Sequence, residues 1–212
     1  HQLMGGTLYT GAEASEEAFK EHAVDYRLIH VAGHAIVDNA QGLNSHIIFT
    51  EDSTSTEDQR LEIKELFNID LQADLVVLSA CETGVGKMRK GEGIISLAWG
   101  MIYAGAQSVA TTLWQVNDQA TEKLMTQFYM NLKQGMAKDQ ALHQAKMTYL
   151  SQGDHLSAHP YLWGSFIIVG DHEPVSSPIL PWWWILGGFV GVGVVIGGVR
   201  LLRSARNTVG VS

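Results

Sequence analysis

Two kinds of apolar pattern alternate along most of the chain. Continuous apolar runs bounded by turn residues predict strands, several of them buried on both faces. These runs lie within 25–31, 45–50, 74–79, 108–113 and 161–169. Segments with helical character cover 13–22, 61–67, 94–104, 118–132 and 137–150. Strands that alternate with helices predict an α/β domain, whose mainly parallel sheet is covered by helices on both faces.

Two chemically reactive residues follow strands of this predicted sheet. His34 comes after the run at 25–31, and Cys81 comes after the run at 74–79. The carboxyl ends of parallel strands share one edge, where catalytic groups collect, so we expect both side chains there. A thiolate can attack a carbonyl carbon while an imidazole carries the proton. A buried apolar role for the cysteine and a structural role for the histidine remain open alternatives.

A different pattern covers the C-terminal part of the chain. The segment 182–199 has no charged side chain and, apart from its tryptophans, no polar one. It begins with three tryptophans and is followed by three arginines. Extended to 202, it has about the twenty residues that cross a bilayer, with the aromatic residues typical of an interface. The sequence therefore predicts one transmembrane helix at 182–202, a proline-containing linker at 172–181 and a short basic tail at 203–212.

Glycine content bears on the alternative to this membrane helix, which is a helix buried in a soluble core. Glycine destabilises soluble helices, so the many glycines in this segment favour the membrane. Small residues four apart permit close helix pairing, and they occur at Gly187, Gly191, Gly193 and Gly197. The arginines after the segment place the tail in the cytoplasm by the positive-inside rule. A preceding segment could override this rule, so the side of the membrane stays open.

Charge and cysteine content exclude several classes of function. With 22 acidic and 14 basic residues, the chain lacks the positive charge of a nucleic-acid-binding surface. A single cysteine excludes an internal disulfide framework and a zinc site with several thiolates. The loop around Gly86 and Lys87 departs from the phosphate-binding and dinucleotide motifs. We therefore expect no nucleic acid, no cofactor and no metal.

Four segments carry a resemblance to a known family. They are LIHVAGHA, VVLSACETGVG, GEGIISLAWGMIYAGAQSVATTLWQVND and YLWGSFIIVGD. The chain resembles the CHAT domain, a caspase-like peptidase domain often found after tetratricopeptide repeats in bacterial signalling proteins. The resemblance covers 1–171 and implies a caspase-like three-layer sandwich. It also implies a protein or peptide substrate, Cys81 as nucleophile, His34 as general base, and a regulatory repeat region before this fragment.

The same resemblance suggests further site residues. Backbone amides of Cys81 and Ala35 would stabilise the oxyanion, although many relatives have glycine at the second position. The segment Leu-Trp-Gln-Val-Asn-Asp is similar to one in separase, which implies that Asp118 recognises a basic substrate residue. An N-cap role for Asp118 is the alternative. Glu82 is either a substrate contact or a solvated charge.

Two other functions compete with a membrane-anchored cysteine endopeptidase. A caspase-like fold can serve as a catalytically silent signalling or interaction module, because a fold does not determine function. The chain can also be a generic doubly wound domain whose Cys81 belongs to the core. The presence of both His34 and Cys81 after neighbouring predicted strands favours the peptidase.

Overall fold

The computed structural model describes residues 2–38, 40–51, 57–80, 92–115, 117–153 and 158–175, with the backbone alone at 80 and 92–96. The chain divides into two compact units, His1–Val175 and Ser176–Ser212. The predicted membrane helix at 182–202 belongs to the second unit and lies outside the described residues. Within the described ranges, no helix combines the length and apolar character needed to cross a membrane.

The first unit alternates helices and strands. The described helices are α1 (Glu16–His22), α2 (Ile63–Leu66), α3 (Glu92–Tyr103), α4 (Asp118–Lys133), α5 (Lys138–Gln152) and α6 (Pro160–Trp163). The described strands are β1 (Leu28–Ala32), β2 (His34–Ile36), β3 (His46–Ile48), β4 (Arg60–Glu62), β5 (Leu75–Ala80), β6 (Ser108–Thr112) and β7 (Phe166–Gly170).

The larger sheet has the strand order β1-β5-β6-β7. Its first three strands are parallel, whereas β7 runs antiparallel to β6. The prediction of a mixed α/β domain with a mainly parallel sheet is therefore confirmed. A smaller antiparallel sheet, β2-β3-β4, was not predicted, although β3 lies within the strand expected at 45–50. Each of its strands has only three residues.

The central strand β5 is buried on both faces, as its continuous apolar run predicts. Val76 and Leu78 belong to one apolar cluster, which also contains residues of α2, α3 and the smaller sheet. Leu75 and Val77 belong to a second cluster with residues of α4 and α5. Because successive side chains of a strand point to opposite faces, β5 is the middle of three layers.

Helix α4 covers the sheet with one apolar stripe. Leu124, Phe128 and Leu132 recur every four residues and are all buried, which confirms the predicted amphipathic helix. Helix α3 ends before Gly105, which has a φ of +109°. A Cβ at this position would overlap the carbonyl oxygen of Leu71, so glycine is required for both reasons.

Several predicted elements differ from the structure in their bounds. The helix expected at 61–67 is only Ile63–Leu66, since Leu61 is fully buried in β4 and Glu62 with Glu65 forms a capping box. The helix expected from 13 begins at Glu16, because the Ser15 hydroxyl accepts the Ala18 N–H. The strand expected from 161 begins only at Phe166, because Pro160 begins the short helix α6.

Candidate active site

The carboxyl ends of β1 and β5 lie side by side. These strands are parallel neighbours, and Ala32 lies opposite Ala80. In the sequence, His34 is two residues beyond Ala32, and Cys81 comes directly after Ala80. Cys81 and Glu82 lie outside the described residues, so the nucleophile and its acidic neighbour stay predictions. The structure does establish that the strands before the two predicted catalytic residues end together.

His34 begins the smaller sheet, which the sequence did not predict. It is the first residue of β2 and lies opposite Ile48 of β3. His34 is exposed, whereas the next residue, Ala35, is only 2% exposed and packs into the core. This alternation turns the histidine outwards while the Ala35 side chain holds β2 against the domain. The role of the Ala35 N–H at an oxyanion stays a prediction.

A second histidine connects two structural elements near these strand ends. The Nε2 atom of His30 lies 2.6 Å from the Ser79 Oγ, and its Nδ1 atom lies 2.9 Å from the Tyr129 hydroxyl. Ser79 and Tyr129 are buried, whereas His30 is exposed over part of its surface. A protein hydroxyl group lies against each of its ring nitrogens, and desolvation lowers the pKa of His30 to about 4. The imidazole is therefore neutral at pH 7.

The sequence pattern does not predict this chain of three side chains. Its members are 49 and 99 residues apart along the sequence, so only the packing of α4 against the sheet brings them together. The sequence does contain one sign of it, since a polar residue, His30 or Ser79, occurs near the end of each of two apolar strands. Burial raises the pKa of Tyr129 above its ordinary value, so its hydroxyl also remains protonated.

Asp118 begins helix α4 and is exposed. The N-cap is Asn117, whose Oδ1 accepts hydrogen bonds from the N–H groups of Gln119 at 3.0 Å and Ala120 at 3.2 Å. The alternative that Asp118 caps the helix is therefore wrong, because Asn117 has the extended backbone and the side-chain acceptor that capping requires. The Asp118 carboxylate lies in the first helical turn, where the helix dipole favours negative charge.

An aromatic pair joins the segment after β6 to helix α6. The Trp114 indole N–H donates a hydrogen bond to the carbonyl oxygen of Tyr161 at 2.8 Å. The two rings are stacked with their centroids 6.1 Å apart. Trp114 follows β6 by two residues and precedes Asp118 by four, so this aromatic surface belongs to the same segment as the predicted substrate-recognition residue.

A cavity of about 580 Å³ lies along β1 and extends to His34. Its wall includes every residue from Leu28 to His34, together with apolar side chains of α1 and β3 and their flanks. Within the described part of the sheet, β1 is an edge strand with β5 on one side. The volume is in the range of ligand-binding clefts.

Three carboxylates meet on another part of the first unit. Glu16, Glu57 and Glu65 surround the ammonium group of Lys20, at 2.7, 2.9 and 2.9 Å. Burial raises the pKa of the Glu16 carboxyl. Burial by itself would lower the pKa of Lys20, but the hydrogen bonds to the three acids together outweigh it and raise this pKa. The lysine is the cation of this cluster, and the contacts describe an ion-pair network between α1, α2 and the segment before β4.

The parallel strands, the helices on both faces and the polar residues at adjacent strand ends are consistent with a caspase-like α/β domain. The CHAT domain family model matches residues 2–171, and the chain belongs to this family. The resemblance stated from the sequence motifs is thus confirmed. The chain is also 29% identical over 118 residues to tetratricopeptide repeat protein 28 of mouse and to that of human. Each match covers 56% of this chain and 5% of the relative, so the chain spans a small fraction of these proteins.

Proposed function

We propose that this chain is a cysteine endopeptidase in which Cys81 is the nucleophile and His34 is the general base and acid. The observation that carries the proposal is the position of Ala32 opposite Ala80, because these residues directly precede the Gly33-His34 pair and Cys81. Membership of the CHAT family, a caspase-like family, supports the same assignment.

The first half of the reaction forms a thioester. His34 takes the thiol proton of Cys81, and the sulfur forms a bond to the carbonyl carbon of the scissile peptide. The carbonyl oxygen becomes negatively charged and accepts hydrogen bonds from the backbone amides of Cys81 and Ala35. The C–N bond then breaks as His34 gives its proton to the leaving nitrogen.

The second half of the reaction releases the acyl group. His34 takes a proton from a water molecule whose oxygen attacks the thioester carbonyl. The C–S bond breaks, and the proton on His34 returns to the Cys81 sulfur. The net reaction consumes one water for each peptide bond, so the chemistry needs neither a metal nor a cofactor.

Asp118 is proposed to recognise a basic residue of the substrate. A carboxylate binds Arg or Lys through charge-assisted hydrogen bonds. Support comes from its exposure and from Asn117, which makes the cap and leaves Asp118 unnecessary for it. Glu82, next to the nucleophile in the sequence, is a second proposed substrate contact.

Two further parts of the proposal concern the context of the domain. The matched relatives are tetratricopeptide repeat proteins, which supports regulation by a repeat region of that type. The apolar segment 182–202 is proposed to anchor the domain in a membrane as a single helix. The side of the membrane that carries the domain is left open.

Cleavage of a mixed-sequence peptide library tests the proposal. The wild-type chain in detergent is compared with Cys81→Ala, His34→Ala and, as a matched control, His172→Ala. His172 is exposed and follows β7. Because β7 runs antiparallel to β6, its end lies beside the start of β6, away from the carboxyl ends of the parallel strands. Mass spectrometry should show cuts with the wild type and the control, and none with the other two variants. Cuts that persist in Cys81→Ala would refute the proposal, and a complete absence of cuts would favour the silent interaction module.

A further inference from the structure

We propose that His30 is a positioning residue, which together with Ser79 and Tyr129 fixes the end of β5 from which the nucleophile follows. This inference rests on the proposed peptidase function for its role in catalysis. It concerns a histidine other than the proposed general base, and a hydrogen-bonded chain rather than a contact with the substrate.

The register of β1 and β5 shows why the end of β5 needs support. Val31 lies opposite Leu78, whereas the next residue of β1, Ala32, lies opposite Ala80. Ser79 is therefore one extra residue in β5, which makes the irregularity a β-bulge. Bulges change the direction of a strand and of its side chains, and they are frequent beside active sites.

One hydrogen-bonded chain holds the side chain of the bulge residue. Ser79 Oγ is 2.6 Å from Nε2 of His30 on the neighbouring strand, and the other nitrogen of that ring is 2.9 Å from the hydroxyl of Tyr129 on α4. The chain thus connects β5, β1 and α4. Buried hydroxyl groups without partners destabilise a fold, and this ring supplies a partner to both Ser79 and Tyr129.

The neutral ring requires both hydrogen bonds of the chain to run in the same sense. A neutral imidazole has one N–H donor and one acceptor nitrogen. Either Ser79 donates to Nε2 while Nδ1–H donates to Tyr129, or both bonds run the other way. In each arrangement both nitrogens are occupied, so His30 holds the bulge instead of accepting the Cys81 proton.

The consequence for catalysis is geometric. Cys81 comes two residues after Ser79 in the sequence, and an error of about 1 Å in the position of a reacting group can cost about a hundredfold in rate. Loss of the Ser79 hydroxyl should therefore lower kcat more than it raises KM. It should also raise the pH at which Cys81 is alkylated. A thiolate is favoured beside a protonated histidine, and a displaced Cys81 would lose this neighbour.

The test uses the full 212-residue chain in detergent and the matched pair Ser79→Ala and Ser108→Ala. Ser108 is also a buried strand serine with a 2.6 Å hydrogen bond, but its bond goes to the Asp74 carbonyl at the amino end of the sheet. Because the chain has one cysteine, alkylation by iodoacetamide reports on Cys81. We measure kcat, KM, the pH profile of alkylation and the melting temperature.

Ser79→Ala and Ser108→Ala should lower the melting temperature by similar amounts. Only Ser79→Ala should also lower kcat and the alkylation rate at pH 7, each by about tenfold. Tyr129→Phe, which removes one oxygen, should show the same pattern more weakly. His30→Gln, whose amide can reach the Nε2 position, should retain more activity than His30→Leu. These variants keep the test informative if one of them fails to fold.

Equal kcat values and equal alkylation profiles for Ser79→Ala and Ser108→Ala would overturn the inference. If the wild type cleaves no peptide, the peptidase proposal fails, and the alkylation profiles alone still decide whether Ser79 positions Cys81. If the wild type cleaves peptides but the two serine variants behave alike, the positioning role fails and the peptidase proposal stands.

Discussion

Ala32 of β1 lies opposite Ala80 of β5. The register of the two strands shifts just before this pair, so Ser79 is an extra residue in β5. This pairing places the ends of two parallel strands together just before His34 and Cys81 in the sequence. The hydrogen bond between Ser79 and His30 lies at the same point. The strand ends and the bulge thus lie together, directly before the positions of His34 and Cys81 in the sequence.

The first prediction concerns substrate choice. Asp118→Asn should lower kcat/KM for peptides with Arg or Lys before the scissile bond by about tenfold or more, since a charge-assisted hydrogen bond is lost. Cleavage of leucine peptides should change by less than about twofold, because an apolar side chain makes no such bond. Parallel assays of the two peptide series measure the difference.

Two controls separate substrate recognition from helix stability. Asp139→Asn changes an exposed acid in the first turn of α5 and should leave both peptide series unchanged. Asn117→Ala removes the cap of α4, which should cost about 1 kcal/mol of folding free energy and affect both series alike. Equal losses on basic and leucine peptides in Asp118→Asn would show that Asp118 does not select the substrate.

The second prediction compares two glycines that both have positive φ. Gly105→Ala should destabilise the fold by about 3 kcal/mol or more, because the new Cβ overlaps the Leu71 carbonyl in addition to the backbone strain. Gly135→Ala, which has no atom within 4 Å of the added Cβ, should cost only about 1–2 kcal/mol. Urea unfolding of both variants measures the difference, and equal losses would contradict the close approach at Leu71.

The third prediction is a pH dependence of stability. Desolvation lowers the pKa of His30 in the fold to about 4, from an ordinary value of 6.5. Between these values the unfolded chain binds the proton more readily, so the contribution of His30 is fully present above pH 6.5 and falls as the pH falls towards 4. The stability advantage of the wild type over His30→Gln should therefore be smaller at pH 5 than at pH 7.5.

Urea unfolding at these two pH values measures that advantage. Taking the difference between wild type and variant removes the titration of the groups that the two chains share. An advantage that is the same at pH 5 and pH 7.5, or larger at pH 5, would contradict a neutral His30 in the fold.

The fourth prediction concerns the segment 182–202. The wild-type chain should remain in the membrane fraction after extraction with alkaline carbonate. The double variant Val192→Arg/Val195→Arg should be extracted, because each central arginine costs about 2.5–3.5 kcal/mol on insertion scales. Val209→Arg, which lies beyond the segment, is the matched control and should stay in the membrane. Complete extraction of the wild type would contradict a membrane anchor.

Local pattern was sufficient to predict much of the domain. The buried run of β5 and the four-residue spacing of Leu124, Phe128 and Leu132 in α4 each encode an element and the face it buries. Short elements were predicted less well, since the three-residue strand β4 has almost no periodicity of its own. Leu61 lies in that strand because of its pairing with Ile47, a contact that no local pattern contains.

The candidate site likewise has features that the local sequence predicts and features that depend on tertiary contacts. The position of His34 after a strand could be predicted from the sequence, because strand ends are marked by local turn residues. Its place at the start of a second sheet could not, since that depends on pairing with Ile48. The hydrogen-bonded chain through His30 likewise depends on tertiary packing, because Tyr129 contacts this ring only where α4 crosses the sheet.

A thioester on Cys81 is the intermediate that the proposed peptidase reaction requires, and it can be detected. The chain is mixed with an activated peptide ester, quenched with acid within seconds, digested and analysed by mass spectrometry. The wild type and His172→Ala should carry an acyl adduct on the peptide that contains Cys81, His34→Ala should carry a greatly reduced one, and Cys81→Ala should carry none. Ester turnover by Cys81→Ala above the rate without protein, or turnover by the wild type without any adduct on Cys81, would show that Cys81 is not the nucleophile.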